Sequence, residues 1–424
     1  MQRLSSRSYS YLLLIALALF LSAIFQRIEM VFVAIPMISA LAISILTQNI
    51  PRYALCHRVS KERLFEGENL TVTIEIRAET ELPLVELIDP IPPEVDLFSG
   101  SNKALFTLKE GETHIIEYEL HCFKRSRFDL GRSFIRIYDP FQLILFEEEV
   151  AQLTRCVIYP AISLIQQPIS PLHTQVYAGN YVSRVFGDGI EFGNIRPYMR
   201  GDTTRRINWK VSSRVGELYV NEYLKERNAD IVLLLDTLSN VGDRYLNALD
   251  LCARGIASLV YHYLKRKDRV GFIDYGGAVR WVRPQMERRQ LYRILERLAE
   301  ARVSFTYVAK DITLIPKRIL PPEALIIAFT PLIDERFLKA LYNLVARNFD
   351  LIVVNLSPTS VMRRVLPRSA LNEAACDLWG LEHQLRVEEI RGWGVPLIEW
   401  NVDEPIIRVI HTLRQLRHEA SIRR

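Results

Sequence analysis

Residues Ile231 to Asp236 read IVLLLD, a continuous apolar run that ends in a carboxylate. Such a run, without polar alternation, is typical of a strand that is buried on both faces of a parallel sheet. The stretch that follows, Tyr245 to Arg266, has the pattern of a helix, and Arg269 to Asp274 (RVGFID) reads as the next strand. This part of the sequence therefore predicts a strand–helix–strand unit with parallel strands.

The same alternation continues towards the C-terminal end. Further strands are predicted at Ala324–Thr330, Asp350–Leu356 and Val395–Trp400, and further helices at Gln290–Ala301, Asp334–Asn348 and Ile406–Arg424. For the last helix, packing on the sheet is favoured over lying on a membrane surface. Repeated units of this kind predict a doubly wound α/β domain over residues 230–424, with sites at the carboxyl ends of its strands.

Upstream, residues 51–160 alternate with a period of two. Leu70 to Ile76 (LTVTIEI) has the pattern of a half-buried strand, and turn signals such as Glu66–Asn69 and Lys109–Glu112 separate further candidates. Many short strands with little helical signal predict an all-β sandwich of immunoglobulin-like type. Residues 161–229, between the two domains, are interpreted as a linker followed by a segment rich in glycine, arginine and aromatic residues.

Two uncharged apolar runs, Tyr9–Phe25 and Met30–Leu46, lie near the start of the chain, separated only by Gln26–Glu29. Each is close to the length that crosses a bilayer as a helix, so residues 1–50 are predicted to form a transmembrane helical hairpin. A cleaved signal peptide and a pair of buried soluble helices are the alternatives. The hairpin is favoured because the second run follows at once and neither run has a polar stripe.

Basic residues predict the orientation of this hairpin. Arg3 and Arg7 precede the first run, and Arg52, Arg58, Lys61 and Arg63 follow the second, whereas Arg27 in the connection is offset by Glu29. Because basic residues flank membrane spans on the cytoplasmic side, both ends and the soluble domains are predicted to be cytoplasmic. The predicted location is the cell membrane, with two spans.

Composition excludes several classes of protein. The chain has 424 residues and a formal net charge of +5, too mild a bias to indicate nucleic acid as a partner. Its five cysteines are far apart and include no Cys-x-x-Cys pair, so neither a zinc ribbon nor a thioredoxin-like site is indicated. The sequence also lacks a P-loop and a His-Glu-x-x-His motif.

Four short elements carry the most specific pattern in the chain: GDGIEF from Gly187, RPYMRGD from Arg196, RRINWK from Arg205 and SSR from Ser212. They resemble the signature of the domain of unknown function 58 family, which runs Gly-x-Glu-Phe, Arg-x-Tyr, Gly-Asp-x-x-Arg-x-Ile-x-Trp and Ser-x-Arg. The resemblance extends from about Val182 to the last strands. DPFQL, from Asp139, is similar to an Asp-Pro-Phe-Gly-Leu element of the same family, with glutamine in place of glycine.

The candidate interaction residues of this signature are Glu191, Phe192, Arg196, Tyr198, Gly201, Asp202, Arg205, Trp209 and Arg214. They are interpreted as a brace of ion pairs, such as Glu191 with Arg196 or Asp202 with Arg205, Arg206 or Arg214, or as a docking surface built from the same arginines. Asp202 is also a candidate cap for the following helix. No catalytic residue is assigned, since the segment has no histidine or cysteine. The alternative is a hydrolase-type enzyme with Glu191, Asp202 and Arg205 in a cleft.

The α/β region resembles a von Willebrand factor A-type domain, which implies a divalent cation held by an Asp-x-Ser-x-Ser motif. Here the motif reads Asp236-Thr-Leu238-Ser239-Asn240, and Leu238 offers no ligand atom. The acid that follows a later strand, Asp334, is expected to lie far from the strand end. The sequence therefore predicts an incomplete metal site and no cofactor. Mg²⁺ on a rearranged site of Asp236, Ser239 and Asn240 is the alternative.

Members of the resembled family are often encoded beside MoxR-type AAA+ ATPases. The resemblance therefore implies a membrane-anchored, non-enzymatic scaffold or adaptor that uses its A-type domain for protein–protein interaction at the cytoplasmic membrane face. The ATPase would supply nucleotide hydrolysis in the assembly or maturation of other proteins. The expected partners are thus the lipid bilayer and an AAA+ ATPase, and no oligomeric state is predicted.

Overall fold

The computed structural model describes residues 2–46, 50–163, 175–187, 191–228, 230–277, 279–303, 312, 315–322 and 324–406 of the chain. The chain divides into two compact units, Met1–Tyr159 and Pro160–Arg424. The finer division predicted from sequence, with boundaries after residues 50, 160 and 229, stays a prediction. The predicted helix from Ile406 to Arg424 lies outside the described residues, apart from Ile406 itself.

The first unit begins with a short strand and two apolar helices: β1 (Gln2–Leu4), α1 (Ser6–Phe25) and α2 (Val31–Leu46). Among the described residues, α1 is long and apolar enough to cross a membrane, and α2 is a shorter apolar helix that contains Pro36. Large side chains such as Leu13 and Phe20 are exposed on α1. Both helices are compatible with membrane anchoring.

A β-rich region forms the rest of this unit. Its strands are β2 (Tyr53–Val59), β3 (Arg63–Phe65), β4 (Asn69–Ala78), β5 (Leu82–Ile88), β6 (Asp96–Gly100), β7 (Lys103–Leu108), β8 (Thr113–His121), β9 (Ser126–Tyr138) and β10 (Ile144–Tyr159). One sheet has the order β2-β4-β8-β6, and the other has the order β1-β10-β9-β5-β7, with β3 beside β10. Their inward side chains share one core that includes Ile74, Tyr118, Leu87 and Ile135. The predicted β-rich region is confirmed.

The second unit begins with a three-stranded antiparallel sheet around the signature. Its elements are β11 (Gln175–Gly187), β12 (Glu191–Pro197), α3 (Trp209–Val215) and β13 (Tyr219–Asn228), with β13 as the central strand. The sequence analysis did not predict these strands, because β12 and β13 carry mixed polar and charged residues without regular alternation.

A six-stranded sheet forms the α/β region. Its elements are β14 (Asp230–Asp236), α4 (Ala248–Lys265), β15 (Arg269–Tyr275), β16 (Arg280–Gln285), α5 (Arg288–Glu300), β17 (Leu325–Thr330), α6 (Glu335–Ala346), β18 (Asp350–Leu356), α7 (Pro358–Val365), α8 (Ala370–Gly392) and β19 (Leu397–Trp400). The order is β16-β15-β14-β17-β18-β19, and only the edge strand β16 is antiparallel to its neighbour. The predicted α/β region is confirmed, but α8 was missed.

Helices cover both faces of this sheet. On one face, Val232 and Ile326 lie in a core with Phe337 of α6 and Ile390 of α8. On the other face, Phe329 of β17 lies directly over Gly255 of α4. Every residue of β14 is buried, as the apolar run predicted. This arrangement brings the carboxyl ends of β14, β15 and β17 side by side.

Candidate functional site

Arg196 is the centre of an ion-pair cluster in the signature. Its Nη1 and Nη2 atoms donate to the two carboxylate oxygens of Asp202, each at 2.7 Å. Its Nε donates to Glu222 Oε1 on the neighbouring strand β13, also at 2.7 Å. Bidentate bonds of this kind are among the strongest polar contacts in proteins. The three side chains are 30%, 21% and 18% exposed, so the cluster is partly shielded from solvent.

The bidentate partner of Asp202, Arg196, is not among the partners considered from sequence, which were Arg205, Arg206 and Arg214. Gly201 adopts a φ of +114°, a conformation that favours glycine, and the resulting turn directs Asp202 back towards Arg196. Asp202 also accepts a hydrogen bond from the backbone N–H of Met199 at 2.8 Å, and Tyr198 donates to the carbonyl of Asp202 at 3.3 Å. The predicted pairing of Asp202 with Arg214 is therefore wrong.

The bonds from Arg196 and from the Met199 N–H hold the pKa of Asp202 at about 2. Asp202 is therefore ionised at neutral pH and neither releases nor takes up a proton there. The hydrolase alternative used Asp202 together with Glu191 and Arg205. Arg205 is exposed, and the side chain of Glu191 lies outside the described part of β12, so that alternative stays a prediction.

Asn208 holds the N-terminus of α3. Its Oδ1 accepts from the Val211 N–H at 3.1 Å, and its Nδ2 donates to Asn221 of β13 at 2.8 Å. At the next turn, the Tyr219 N–H donates to Ser212 Oγ at 2.8 Å. Asn208 thus takes the capping role that the sequence analysis considered for Asp202. Helix α3 is thus tied to β13 at its N-cap and at its middle residue.

The outer side of α3 is strongly exposed. Trp209 is 67% exposed, and Arg205, Lys210 and Arg214 around it are exposed as well. These four residues are called the α3 surface below. Signature residues thus divide into an inner set that makes ion pairs and an outer set that faces solvent.

A second candidate site lies at the carboxyl end of β14. Asp236 is 1% exposed. Its Oδ2 accepts from Thr330 Oγ1 at 2.6 Å, and its Oδ1 accepts from the Leu238 N–H at 3.0 Å. Next to it, Thr237 Oγ1 donates to Asp274 Oδ1 at 2.5 Å. Burial raises the pKa of Asp236 to about 7 because no cation compensates its charge fully.

Asp334 lies closer to this site than the sequence analysis expected. The turn after β17 folds back, with Leu332 at a φ of +52° and its N–H bonded to Thr330 Oγ1 at 2.9 Å. Asp334 therefore acts electrostatically on Asp236. Its carboxylate is held by Arg336, whose Nη2 lies 2.6 Å from Oδ2. The expectation that this acid lies far from the strand end is wrong.

The residues at this edge do not fit a divalent cation. Leu238 is apolar and buried, and Asn240 Oδ1 accepts the Leu249 N–H at 3.0 Å. Arg336 is close enough to act on Asp236, where its positive charge would repel a metal ion. Ser239 is the exception, since its Oγ is buried without a hydrogen-bond partner among the described residues. Those residues contain no cluster of three or more His, Cys, Asp or Glu side chains with metal-binding geometry.

Comparison with known proteins finds a family model that matches part of the chain. Residues 194–365 match the family described as protein of unknown function DUF58. The resemblance predicted from the signature is confirmed over this part of the chain, which is less than half of its length. It includes α3, Asp202 and the strand-end residues Asp236 and Thr330, but not the apolar helices or the β-rich region.

The relatives found by sequence are themselves uncharacterized. YeaD of Bacillus subtilis is 22% identical over 227 residues, which cover 52% of this chain and 55% of the relative. Rv1480 of Mycobacterium tuberculosis is 26% identical over 105 residues, which cover 24% of this chain and 33% of the relative. The chain thus spans about half of one relative and a third of the other.

Solved structures give only weak similarity. The cupredoxin domain of amoB from Nitrosocaldus yellowstonii matches with a TM-score of 0.19 and 9% identity, covering 27% of this chain and 95% of that domain. The C-terminal domain of wzt matches with a TM-score of 0.19 and 7% identity, covering 27% of this chain and 81% of that domain. Scores this low assign no fold or function.

Proposed function

We propose that this chain is a membrane-anchored, non-enzymatic adaptor that binds a partner protein through the α3 surface. One observation carries the proposal: Trp209 is 67% exposed at the start of a helix that Asn208 and Ser212 bind to β13. Tryptophan and arginine are enriched among the residues that dominate interface energies. The α3 surface combines both residue types.

The rigid mounting of α3 supports this role. Arg196, Asp202 and Glu222 brace the turn before the helix, and Asn208 and Ser212 bind it to β13. A surface that is already ordered loses little conformational entropy on binding. The inner residues of the signature thus preorganise the outer ones.

The partner that we propose is a MoxR-type AAA+ ATPase, on the basis of the family resemblance. The chain has no P-loop, so ATP hydrolysis would come from the partner. Three exposed basic side chains, Arg205, Lys210 and Arg214, lie close to Trp209 in the sequence and fit an acidic surface on that partner. In this proposal the α/β region is a von Willebrand factor A-type module without a metal, and the β-rich region is an immunoglobulin-like spacer.

We also propose a two-span hairpin for α1 and α2. Just before α1, the Ser5 N–H donates to the carbonyl of Leu143 at 2.9 Å. Near the end of α2, Ser44 Oγ donates to Asp139. The start of one helix and the end of the other thus meet at the same turn, which supports a chain that leaves this side of the membrane and returns to it. The excess of basic residues at both ends supports a cytoplasmic location.

The α3 surface is tested by binding of the purified full-length chain in non-ionic detergent to the MoxR-type ATPase of the same organism. Trp209→Ala should weaken this binding by about tenfold or more, since truncating a central interface tryptophan costs on the order of 2 kcal/mol. Trp281→Ala is the matched control, because Trp281 lies on β16 and is 42% exposed. Unchanged binding of Trp209→Ala, or an equal loss in the control, would contradict the proposal.

A further inference from the structure

Helix α8 presents two different faces. It has 23 residues, and its inner face consists of Cys376, His383, Val387 and Ile390, which are buried. On this face, His383 Nε2 lies 3.2 Å from the amide nitrogen of Asn355 at the end of β18. These contacts fix the helix on the sheet and determine which residues point outward.

The outer face of α8 is a row of leucines. Leu371, Leu378, Leu381 and Leu385 are 79%, 71%, 65% and 72% exposed. Together with the exposed Ala374, they occupy the a and d positions of a seven-residue repeat, which is the spacing of a helix–helix seam. Four leucines exposed to this degree in one row form an apolar patch, and such patches mark binding surfaces.

Acidic side chains border this row. Glu373, Asp377, Glu382, Glu388 and Glu389 are exposed on α8. Arg386 and Arg391 on the same helix pair with Glu382 and Glu388, and Arg363 of α7 pairs with Asp377, but the acids still outnumber the bases. Two copies of α8 packed together would bring these carboxylates close to each other, and an anionic lipid surface would repel them. Basic residues along a partner helix would instead complement them.

A cleft of about 400 Å³ adjoins the N-terminal part of the row, between α7 and α8. Leu366, Pro367 and Cys376 supply apolar atoms to it, and Asn372 and Arg368 supply polar ones. A cleft of this size accepts a bulky side chain at one end of a docked helix.

We propose that the outer face of α8 is a docking groove for an amphipathic helix of a partner protein whose apolar row is flanked by basic residues. This groove is separate from the α3 surface and does not depend on the function proposed for that surface.

The groove is tested with two synthetic helical peptides of about three heptads, with leucine at every a and d position and either lysine or glutamate at every e and g position. Binding to the full-length chain in lipid nanodiscs is measured by fluorescence anisotropy. The lysine peptide should bind about tenfold more tightly than the glutamate peptide. Equal affinities, or no measurable binding of either, would overturn the proposal.

Variants distinguish binding of the peptide at the groove from binding of the peptide to lipid. The double substitution L378S/L381S should reduce the affinity for the lysine peptide by about tenfold, whereas the exposed Leu153→Ser on β10 and Trp209→Ala on α3 should leave it unchanged. Circular dichroism melting verifies that the double variant is folded. Equal affinity of wild type and the double variant for the lysine peptide would overturn the proposed docking groove. If sedimentation shows a dimer that depends on Leu378, the occupant of the groove is a second copy of the chain and the proposed partner helix is wrong.

Discussion

Asp236 is an acid whose environment favours its protonated form. Burial raises its pKa to about 7 in the folded chain, whereas its ordinary value is 3.8. The folded state therefore retains a proton that the unfolded state releases at a lower pH. As a result, the contribution of Asp236 to stability is greatest below about pH 4 and declines as pH rises to about 7.

We predict that Asp236→Asn reduces the decline in stability between pH 5 and pH 8. Asparagine has the same shape without the buried charge, so the variant should gain up to a few kcal/mol relative to wild type at pH 8 and about 2 kcal/mol less than that at pH 5. Urea unfolding at both pH values measures the difference. Asp334→Asn is the control and should be less stable than wild type at both pH values, since Arg336 lowers the pKa of Asp334 and would lose its partner. If the free energy of unfolding of Asp236→Asn falls between pH 5 and pH 8 as much as that of wild type, this account is contradicted.

Sequence identified some of these residues and missed others for a physical reason. Asp236 was predicted because it follows a continuous apolar strand, which is a local pattern. Asp89 was not singled out from sequence, yet it is buried and accepts hydrogen bonds from Tyr118 at 2.6 Å and Ser133 at 3.3 Å, and His57 Nε2 lies 3.1 Å from it. Its partners lie on β2, β8 and β9, and no local pattern indicates which distant strands will meet.

At the scale of elements, the turn from Asp139 to Leu143 links the β-rich region to the apolar helices. Asp139 accepts from the N–H groups of Leu143 at 2.6 Å and Ile144 at 2.7 Å, and from the hydroxyl of Ser44 at the end of α2. Ser8 of α1 donates to the carbonyl of Leu143. Gln142 has a φ of +56°, which explains why the resembled family places glycine there. The motif is thus a docking turn for both helices.

We predict that Asp139→Ala destabilises the first unit by about 2 kcal/mol, because several donors in the turn and in α2 lose a charged acceptor at once. Asp139→Asn should lose less, since the amide oxygen still accepts two of these bonds. Thermal unfolding of the detergent-solubilised chain compares the two variants. Equal stability of Asp139→Ala and wild type would show that the turn does not hold the helices.

Element types were easier to predict than their partners. The apolar helices and β14 are continuous apolar runs and β4 alternates with a period of two, and the structure has a helix or strand at each position. Helix α8 was missed because its outer leucines break the usual pattern of one apolar and one polar face. A row of exposed leucines on the side opposite the buried face is a signal for binding rather than for packing within the chain.

For the whole molecule, the docking turn predicts the topology of the first unit. Both ends of the helix pair meet at residues 139–143, so the connection between the helices must lie on the other side of the membrane if both helices cross it. We predict that Gln26→Cys reacts with a membrane-impermeant maleimide in intact spheroplasts, and that Ser101→Cys on the exposed edge of the β-rich region reacts only after lysis. The unsubstituted chain, whose five cysteines are buried or half-buried, is the control.

The same contacts predict that α1 remains part of the mature chain. Strand β1 precedes α1 and pairs with β10, with Arg3 opposite Leu145, so removal of the first helix would also remove an edge strand of the sheet. The intact mass of the membrane-extracted protein should therefore include the residues of β1 and α1. A mass that lacks the first helix would revive the signal-peptide alternative. Labelling of Ser101→Cys in intact spheroplasts would instead place the β-rich region outside the membrane, and the proposed cytoplasmic adaptor could not act there.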